Sequence, residues 1–290
     1  MQSPPGSPRF SHHGRESIWQ MIKRDKQARY SLMALFVLIL GAVVIPSMCR
    51  TTYDHMTFHL KNQPPSLQHW FGTDDLGRDL FVRTWYGARI SLCIGLTVSV
   101  LNILIGFFYG ATAGMIRGRA GAVMIWVADV LYALPRLLLG IIILSMLKAT
   151  VWTLILSLSI TGWINMARFV RGQVLKIRPQ SFILAAQMFG LSTLRIIWKH
   201  LIPNTMGPLL PKCIFTVSLV IFAESFFSLM GLGIAPSFPT WGSLIREGLS
   251  ALRYYPWRWI FPSSLMTVTI LFLNLFGDAM QHLFTPKLRR

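Results

Sequence analysis

Long apolar blocks alternate with polar segments along the chain, and this pattern predicts helices that cross a membrane. A helix needs about 20 mostly apolar residues to cross the hydrocarbon core of a bilayer. Six blocks of the 290-residue chain meet this requirement, so we predict an all-α integral membrane protein with six transmembrane helices. The predicted spans cover approximately residues 31–48, 90–115, 121–147, 151–169, 207–232 and 259–281.

Composition favours a membrane protein over a soluble enzyme. The chain is 53% hydrophobic and only 13% charged, whereas soluble domains average about 25% charged residues. Its net charge is +18, which is also typical of nucleic-acid-binding proteins. Because the basic residues lie between apolar blocks and no nucleic-acid-binding motif is present, we interpret them as the Lys and Arg excess of cytoplasmic loops. No nucleic-acid partner is expected.

The distribution of Lys and Arg predicts the orientation of the spans. Alternate loops and termini place 18 basic residues on one side and 9 on the other, and the richer side is expected to be cytoplasmic. Both termini and the loop 170–206 fall on that side. The basic, partly apolar N-terminal stretch is also expected to contact membrane lipid. The predicted division is a cytoplasmic segment 1–30, a first span 31–48, an extracytoplasmic loop 49–89, a core domain 90–282 and a cytoplasmic tail 283–290.

The polar sequence FGTDDLGRD precedes the second predicted span. Thr73 is a good N-cap, and the two aspartates that follow it would lie in the positive first turn of a helix. Asp74 and Arg78 have the i,i+4 spacing of a helical ion pair. Asp79 and Arg83 have the same spacing. We expect a capped, salt-bridged helix at the outer surface, and the alternative is a metal site built from three aspartates.

The loop 170–206 contains a moderately apolar segment, FILAAQMFGLSTLRIIWKHLIPN, with basic residues within and around it. Ala186 and Gly190 are four residues apart, so on a helix they would share a face and form a shallow notch. A short helix with such a notch, in a basic loop of a membrane protein, predicts a docking element for a cytoplasmic partner.

Three blocks of this sequence resemble a known family. FGTDDLGRD followed by GARISL resembles the signature before the second span in C-type permease subunits of dipeptide and oligopeptide ABC importers. SFFSLMGLGIAPSFPTWGSLIREG and NLFGDAMQHLFTPKLR resemble the last third of these permeases. The loop segment is similar to their cytoplasmic "EAA" coupling loop, with Leu184 at the acidic position of the family. Its matching positions are Ala185, Ala186, Gly190, Ile196, Ile197, His200, Pro203 and Asn204.

The resemblance implies a fold, a role and partners. It implies the importer-type ABC permease fold and a transport subunit without enzymatic activity of its own, in the bacterial cytoplasmic membrane. The implied partners are a homologous B-type permease, two cytoplasmic ATPase subunits and an extracytoplasmic solute-binding protein. The coupling loop would sit in a cleft of an ATPase subunit, and the chain would form half of the translocation path.

Among the ionisable residues within predicted spans, where charge is costly and often functional, three are singled out as candidates. Glu224 lies in the fifth span, and Asp129 and Arg136 lie in the third. Asp129 and Arg136 are seven residues apart, so we expect them on one side of that helix. Pro135 is expected to break or kink the helix. All three ionisable residues either line the translocation path or pair with other helices.

The remaining patterns indicate no catalytic or metal chemistry. His55 and His59 have the HxxxH spacing of a transition-metal site, but solvated loop histidines are the preferred interpretation. The three cysteines are scattered, and no phosphate-binding loop, nucleophile elbow or HExxH motif is present. We therefore expect no catalytic residue, no metal and no cofactor, with ATP hydrolysis in separate subunits.

The function predicted from the sequence is the import of dipeptides or oligopeptides through an ATP-driven transporter. The first alternative is a nickel or other small-solute ABC importer. A secondary transporter would instead carry an ion-coupling site at the middle of the membrane. A membrane-embedded enzyme would need converging catalytic groups within the spans.

Overall fold

The computed structural model describes residues 18–49, 52–116, 118–147, 150–233 and 238–284. These residues form helices and loops, and the β-structure among them is an isolated bridge between Thr73 and Asp79. The predicted all-α fold is therefore confirmed. The helices are α1 Ile18–Arg24, α2 Lys26–Met48, α3 Leu80–Met115, α4 Arg119–Ala133, α5 Arg136–Met146, α6 Val151–Ile177, α7 Ser181–Met188, α8 Thr193–Ile196, α9 Ile202–Leu229, α10 Trp241–Ser250 and α11 Trp257–Phe284.

Five helical segments of the described chain are long and apolar enough to cross a membrane, and α4 with α5 forms a sixth if the bent pair is one span. These segments match the six predicted blocks in order. α3 begins at Leu80, earlier than the apolar block at residue 90, because the helix extends past the apolar region to an N-cap at Asp79. The predicted division of the chain into segments stays a prediction.

The third span is broken at the proline that the sequence singled out. α4 ends at Ala133, α5 begins at Arg136, and the two helices are bent by 76°. Leu134 has the extended conformation, with φ −74° and ψ 132°, that a following proline favours. Pro135 lacks an N–H group and cannot continue the hydrogen bonds of α4. The predicted break is confirmed.

A stripe of glycines brings α3 and α6 into close contact. Gly106, Gly110 and Gly114 recur every four residues and therefore lie on one face of α3. A Cβ atom on Gly110 would lie 2.2 Å from the carbonyl oxygen of Ala167 on α6. Only glycine allows two backbones to approach this closely, as small residues do between membrane helices. α3 and α6 are therefore packed as one unit.

The other long helices pack around this pair. α9 and α11 lie against each other, and α2 contacts both α3 and α11. On its other side α2 exposes large apolar side chains such as Phe36, which is 63% exposed. An apolar outer face suits a helix that has lipid as its solvent.

Candidate functional site

The connection between α6 and α9 folds as two short helices joined by a glycine turn. α7 ends at Met188, and Phe189 donates its N–H to the carbonyl oxygen of Ala185 at 2.9 Å. Gly190 follows with φ +74°, a left-handed conformation that favours glycine. The glycine therefore ends α7 and turns the chain towards α8.

One face of this connection is packed into the protein. The side chains of Ile183, Ile197 and Leu201 are at most 1% exposed. They join an apolar cluster with Phe107 of α3 and Val170 of α6. Close-packed protein interiors are hardly compressible and transmit strain. A movement of this connection would therefore be passed to the ends of α3 and α6.

The opposite face exposes large apolar side chains. Met188 is 89% exposed and Phe189 is 85% exposed, and Leu184 lies one turn before Met188 on the same side of α7. Exposed apolar patches of this kind mark interaction sites for proteins or membranes. We call Leu184, Met188 and Phe189 the docking face.

The notch predicted from Ala186 and Gly190 is absent, and that part of the prediction was wrong. Ala186 is 6% exposed and packs inward with Ile183, while Ala185 is half-buried. Gly190 lies beyond the last residue of α7. The spacing argument assumed a helix through residue 190, but the glycine itself ends the helix. The predicted docking role of this connection stays a prediction, now with different contact residues.

His200, Pro203 and Asn204 lie where the connection enters α9. Ile197–Leu201 form a π-helical turn, and α9 begins directly after it with Pro203 in its first turn. Asn204 donates its side-chain N–H to the carbonyl oxygen of His200 at 2.7 Å. Proline is favoured in the first turn of a helix because an N–H group at that position would have no acceptor within the helix, so its absence costs no hydrogen bond. These residues shape the return of the chain into the span.

A buried polar network lies at the other end of α3. Asp74 is fully buried and accepts hydrogen bonds from Arg78 Nε at 2.7 Å and from Arg83. Arg83 also donates to Glu247 of α10 at 2.9 Å. Burial opposes ionisation of Asp74, but Arg83 and the hydrogen bonds from Arg78 outweigh it, so the pKa of this carboxyl lies below its ordinary value. We call these four residues the polar network.

The prediction that Thr73 caps a helix was wrong. Asp79 is the N-cap of α3, and its carboxylate accepts hydrogen bonds from the N–H groups of Phe81 and Val82. The chain before it turns at Gly77, where φ is +71° and a Cβ atom would lie 2.0 Å from a carbonyl oxygen. This turn prevents a helix from starting at Thr73.

The ion pairs predicted in the same segment have mixed outcomes. The Asp74–Arg78 pair is present outside a helix, whereas Arg83 pairs with Asp74 rather than with Asp79. Asp79 instead lies 2.8 Å from His69. In the part of the chain that the structure describes, no group of three or more His, Cys, Asp or Glu side chains is arranged to hold a metal ion.

Glu224 is buried where α3, α9 and α10 meet. Its carboxylate accepts hydrogen bonds from Ser91 at 3.1 Å, Ser228 at 3.0 Å and Ser225 at 3.4 Å. The Ser91 hydroxyl in turn accepts the N–H of Trp241, the first residue of α10. Of the two roles open for Glu224, this position favours a link between helices over contact with a passing substrate, and the role stays a prediction.

Asp129 and Arg136 do not share a helix face, contrary to the spacing prediction, because α4 ends between them. Asp129 forms an ion pair with Arg168 of α6 at 3.4 Å, and both side chains are about half exposed. Arg136 begins α5 and lines a cavity of about 180 Å³ between α5, α6 and α9. The structure therefore separates the two residues into different surroundings.

Two features were missed by sequence reasoning. The glycine stripe of α3 is visible as a Gly-x-x-x-Gly-x-x-x-Gly spacing from residue 106, a known signal for close helix packing. The sequence gives little indication of the docking face, because Met188 and Phe189 are apolar like the buried residues around them. Only the packing of α7 shows which side is exposed.

These helices define a multi-span membrane protein that exposes an apolar face on the connection between two of its spans. A family model described as "Binding-protein-dependent transport system inner membrane component" matches residues 102–290. The chain belongs to this family, and the resemblance inferred from its motifs is confirmed.

Curated relatives cover nearly the whole chain. The chain is 44% identical over 280 residues to the oligopeptide transport system permease protein OppC of Bacillus subtilis, covering 94% of this chain and 91% of the relative. It is 43% identical over 276 residues to the dipeptide transport system permease protein DppC of Bacillus subtilis, covering 95% and 86%. It is 32% identical over 277 residues to OppC of Haemophilus influenzae, covering 93% and 89%. These relatives are transport permeases, so the predicted class of transport subunit is also confirmed.

Proposed function

We propose that this chain is a permease subunit of an ATP-driven importer of peptides, with both termini in the cytoplasm. The relatives named for oligopeptide and dipeptide transport support the substrate class. The docking face supports attachment to an ATPase subunit, because it exposes apolar side chains on a segment whose other side is buried. That two-sided arrangement is the observation that carries the proposal.

The connection between α6 and α9 would convert movement of the ATPase subunits into movement of the spans. Ile183 and Leu201 fix the connection to the apolar cluster, and α3 and α6 share that cluster. Because the glycine stripe holds α3 and α6 together, the two helices would respond as one body. Closure of the ATPases would then shift the path between outward and inward access by rigid-body rotation.

The opposite end of the spans would receive the solute-binding protein. The polar network and the ion pair between Arg258 and Asp75, at 3.2 Å, tie the loop before α3 to α10 and α11. A loop fixed at several points presents a preformed surface to a partner, which lowers the entropy cost of association. The second permease subunit would complete the path.

The first experiment tests the docking face. The chain would be produced with the second permease and the ATPase subunits, solubilised in detergent and purified through a tag on this chain. Changing Met188→Asp together with Phe189→Asp places charge where apolar contact is expected. Loss of two apolar side chains that the complex would bury should weaken binding by about 3 kcal/mol or more. Leu67→Asp, at a residue that is 96% exposed in the loop before α3, is the matched control.

We expect the ATPase subunits to co-purify with the unchanged chain and the control, and to be lost from the double variant. The second permease should remain bound in all three. Retention of the ATPases by the double variant would contradict the docking face. Their absence even from the unchanged chain would favour a stand-alone secondary transporter.

The second experiment tests the substrate class. The complete complex would be reconstituted into lipid vesicles, and ATP-dependent uptake would be compared for a labelled dipeptide, a labelled oligopeptide and Ni²⁺. Uptake of a peptide is the expected result. Uptake of Ni²⁺ alone would replace the peptide proposal with the small-solute alternative.

A further inference from the structure

A cation lines a cavity within the membrane-spanning part of the molecule, and it has no acidic partner among the residues that the structure describes. Arg136 lies at the break of the third span, 17 residues after Arg119 and 10 before Met146. Asp129, the carboxylate nearest in the sequence, forms an ion pair with Arg168. Glu224, in the neighbouring α9, accepts hydrogen bonds from serine hydroxyls. Among the described residues no carboxylate lies within ion-pair distance of Arg136.

The cavity combines this cation with hydroxyl groups and apolar walls. Ser157 and Thr161 of α6 contribute the hydroxyls. The apolar lining comes from α5, α6 and α9, through Leu137, Leu158, Leu219, Phe222 and Ala223. Its volume of about 180 Å³ is far larger than the roughly 10–15 Å³ that a cavity needs to hold one water molecule. A carboxylate group with a few attached carbon atoms fits this space.

The chemistry of the site selects an anion with planar oxygen geometry. A guanidinium group presents its N–H donors as a rigid fork that matches a carboxylate in a bidentate arrangement. Arg136 is also the first residue of the 11-residue helix α5, so the positive end of that helix faces the same region. An unpaired cation within a span is costly, and such residues are usually kept for binding or transport.

We propose that Arg136 binds a carboxylate of the transported peptide as the peptide passes between the two permease subunits. This inference rests on the proposed function, since it assumes that the cargo is a peptide. Every peptide with a free C-terminus carries a carboxylate, and acidic side chains supply the same group. The apolar walls beside Arg136 would contact the neighbouring part of the peptide, and Ser157 and Thr161 would offer additional hydrogen bonds.

The test compares peptides that differ only in their carboxylates. The complete complex, with its binding protein, would be reconstituted into vesicles, and kcat/KM for ATP-dependent uptake would be measured for three peptides of equal length. The first has a free C-terminus, the second has a C-terminal amide, and the third has a C-terminal amide and one glutamate side chain. Because the binding protein is the same throughout, a change in selectivity between variants belongs to this chain.

The variants are Arg136→Gln, Arg136→Lys and Thr161→Val, with Arg89→Gln as the control. Arg89 is an exposed cation of α3 that does not line the cavity. We expect Arg136→Gln to lower the preference for the free carboxylate over the amide by about tenfold or more, the scale of a lost charge-assisted hydrogen bond. Arg136→Lys should keep part of the preference, Thr161→Val should lower it about threefold, and the control should leave it unchanged.

The third peptide separates the two sources of the carboxylate. If the unchanged complex prefers the amidated peptide with a glutamate over the amidated peptide without one, the site accepts any carboxylate of the cargo. If it does not, the site is specific for the C-terminal carboxylate. Equal preference in the unchanged complex and in Arg136→Gln would overturn the inference.

Failure of Arg136→Gln to assemble, with an unchanged preference in Thr161→Val, would also overturn the inference. That result would assign Arg136 a role in assembly rather than in binding the cargo. In either case, peptide uptake by the unchanged complex would leave the proposed function intact. Absence of ATP-driven peptide uptake by the unchanged complex would instead contradict the proposed function.

Discussion

The two ends of α3 are held by different kinds of interaction. Near its first residue, Arg83 belongs to the polar network with Asp74 and Glu247. Near its last residue, Phe107 and Met115 belong to the apolar cluster that anchors the connection between α6 and α9. α3 has 36 residues and is therefore about 54 Å long. One continuous helix joins the surface proposed for the binding protein to the surface proposed for the ATPase.

The comparison shows two ways to fix a loop on the end of a span. A buried ion-pair network depends on every member, because removing one partner leaves a charge buried and unpaired. An apolar cluster loses stability in proportion to the side chain removed and the cavity left behind. A single substitution at the polar end should therefore cause a large loss of stability, whereas a substitution at the apolar end should cause a loss that scales with the side chain removed.

The largest effect is expected at the polar end. Arg83→Met removes a cation that Asp74 and Glu247 share, leaving the buried Asp74 with Arg78 alone. Loss of a partner from a buried pair costs about 3–5 kcal/mol, and we expect the lower part of this range. Chemical unfolding of the purified protein in detergent, followed by tryptophan fluorescence, measures the effect. Arg89→Met, at an exposed position, should change little, and equal stability of the two variants would refute the polar network's role.

A smaller loss is expected at the apolar end. Leu201 is fully buried in the cluster, so Leu201→Ala should lower the free energy of unfolding by about 2–3 kcal/mol. Limited proteolysis should cut the connection between α6 and α9 faster in this variant. Leu194→Ala, at a residue that is 60% exposed, is the control. Faster cleavage in the control as well would show that the connection is not held by the cluster.

The link between the two ends is tested at the glycine stripe. Gly110→Ala places a methyl group against the backbone of α6 and should destabilise the protein by about 1–2 kcal/mol through overpacking. Gly172→Ala on α6 is a matched control, because a Cβ atom there meets nothing within 4 Å. The same unfolding experiment compares them, and we expect opposite signs because alanine favours a helix over glycine. Destabilisation by both would point to an effect other than helix contact.

The smallest expected effect is a difference between the two ends of α3 in how acid changes the stability of the protein. The pKa of Asp74 is lowered in the folded protein, so its ionised form adds stability at neutral pH. That contribution is lost as the pH falls through the ordinary carboxyl range towards the lower folded-state pKa. Stability should therefore decline with acid from about pH 5 downward, by about 1.4 kcal/mol per unit of pKa difference.

Asp74→Asn isolates this contribution, since the variant should be less stable at neutral pH and show a shallower acid dependence. Leu201→Ala should keep the acid dependence of the unchanged protein, because no titrating group is altered in the apolar cluster. An identical acid slope in Asp74→Asn and the unchanged protein would exclude Asp74 as its source.

Local rules predicted the elements of this fold well and the contacts between them poorly. The apolar blocks predicted the spans, and Pro135 predicted the break in the third one. The capping rule chose Thr73 where Asp79 is the cap, because the turn at Gly77 was not recognised. The notch prediction failed for a related reason, since the glycine at residue 190 ends α7 instead of extending it.

The sequence by itself determined the class of protein, the number of apolar blocks and the family, because these depend on composition and on contiguous motifs. The tertiary structure alone decided which residues meet. Arg83 and Glu247 are 164 positions apart, and no local spacing brings them together. The same holds for the exposed side of α7 and for Arg136, which has no carboxylate partner in the described part of the chain. Exposure and ion pairing depend on which neighbouring helices have already covered or neutralised a side chain.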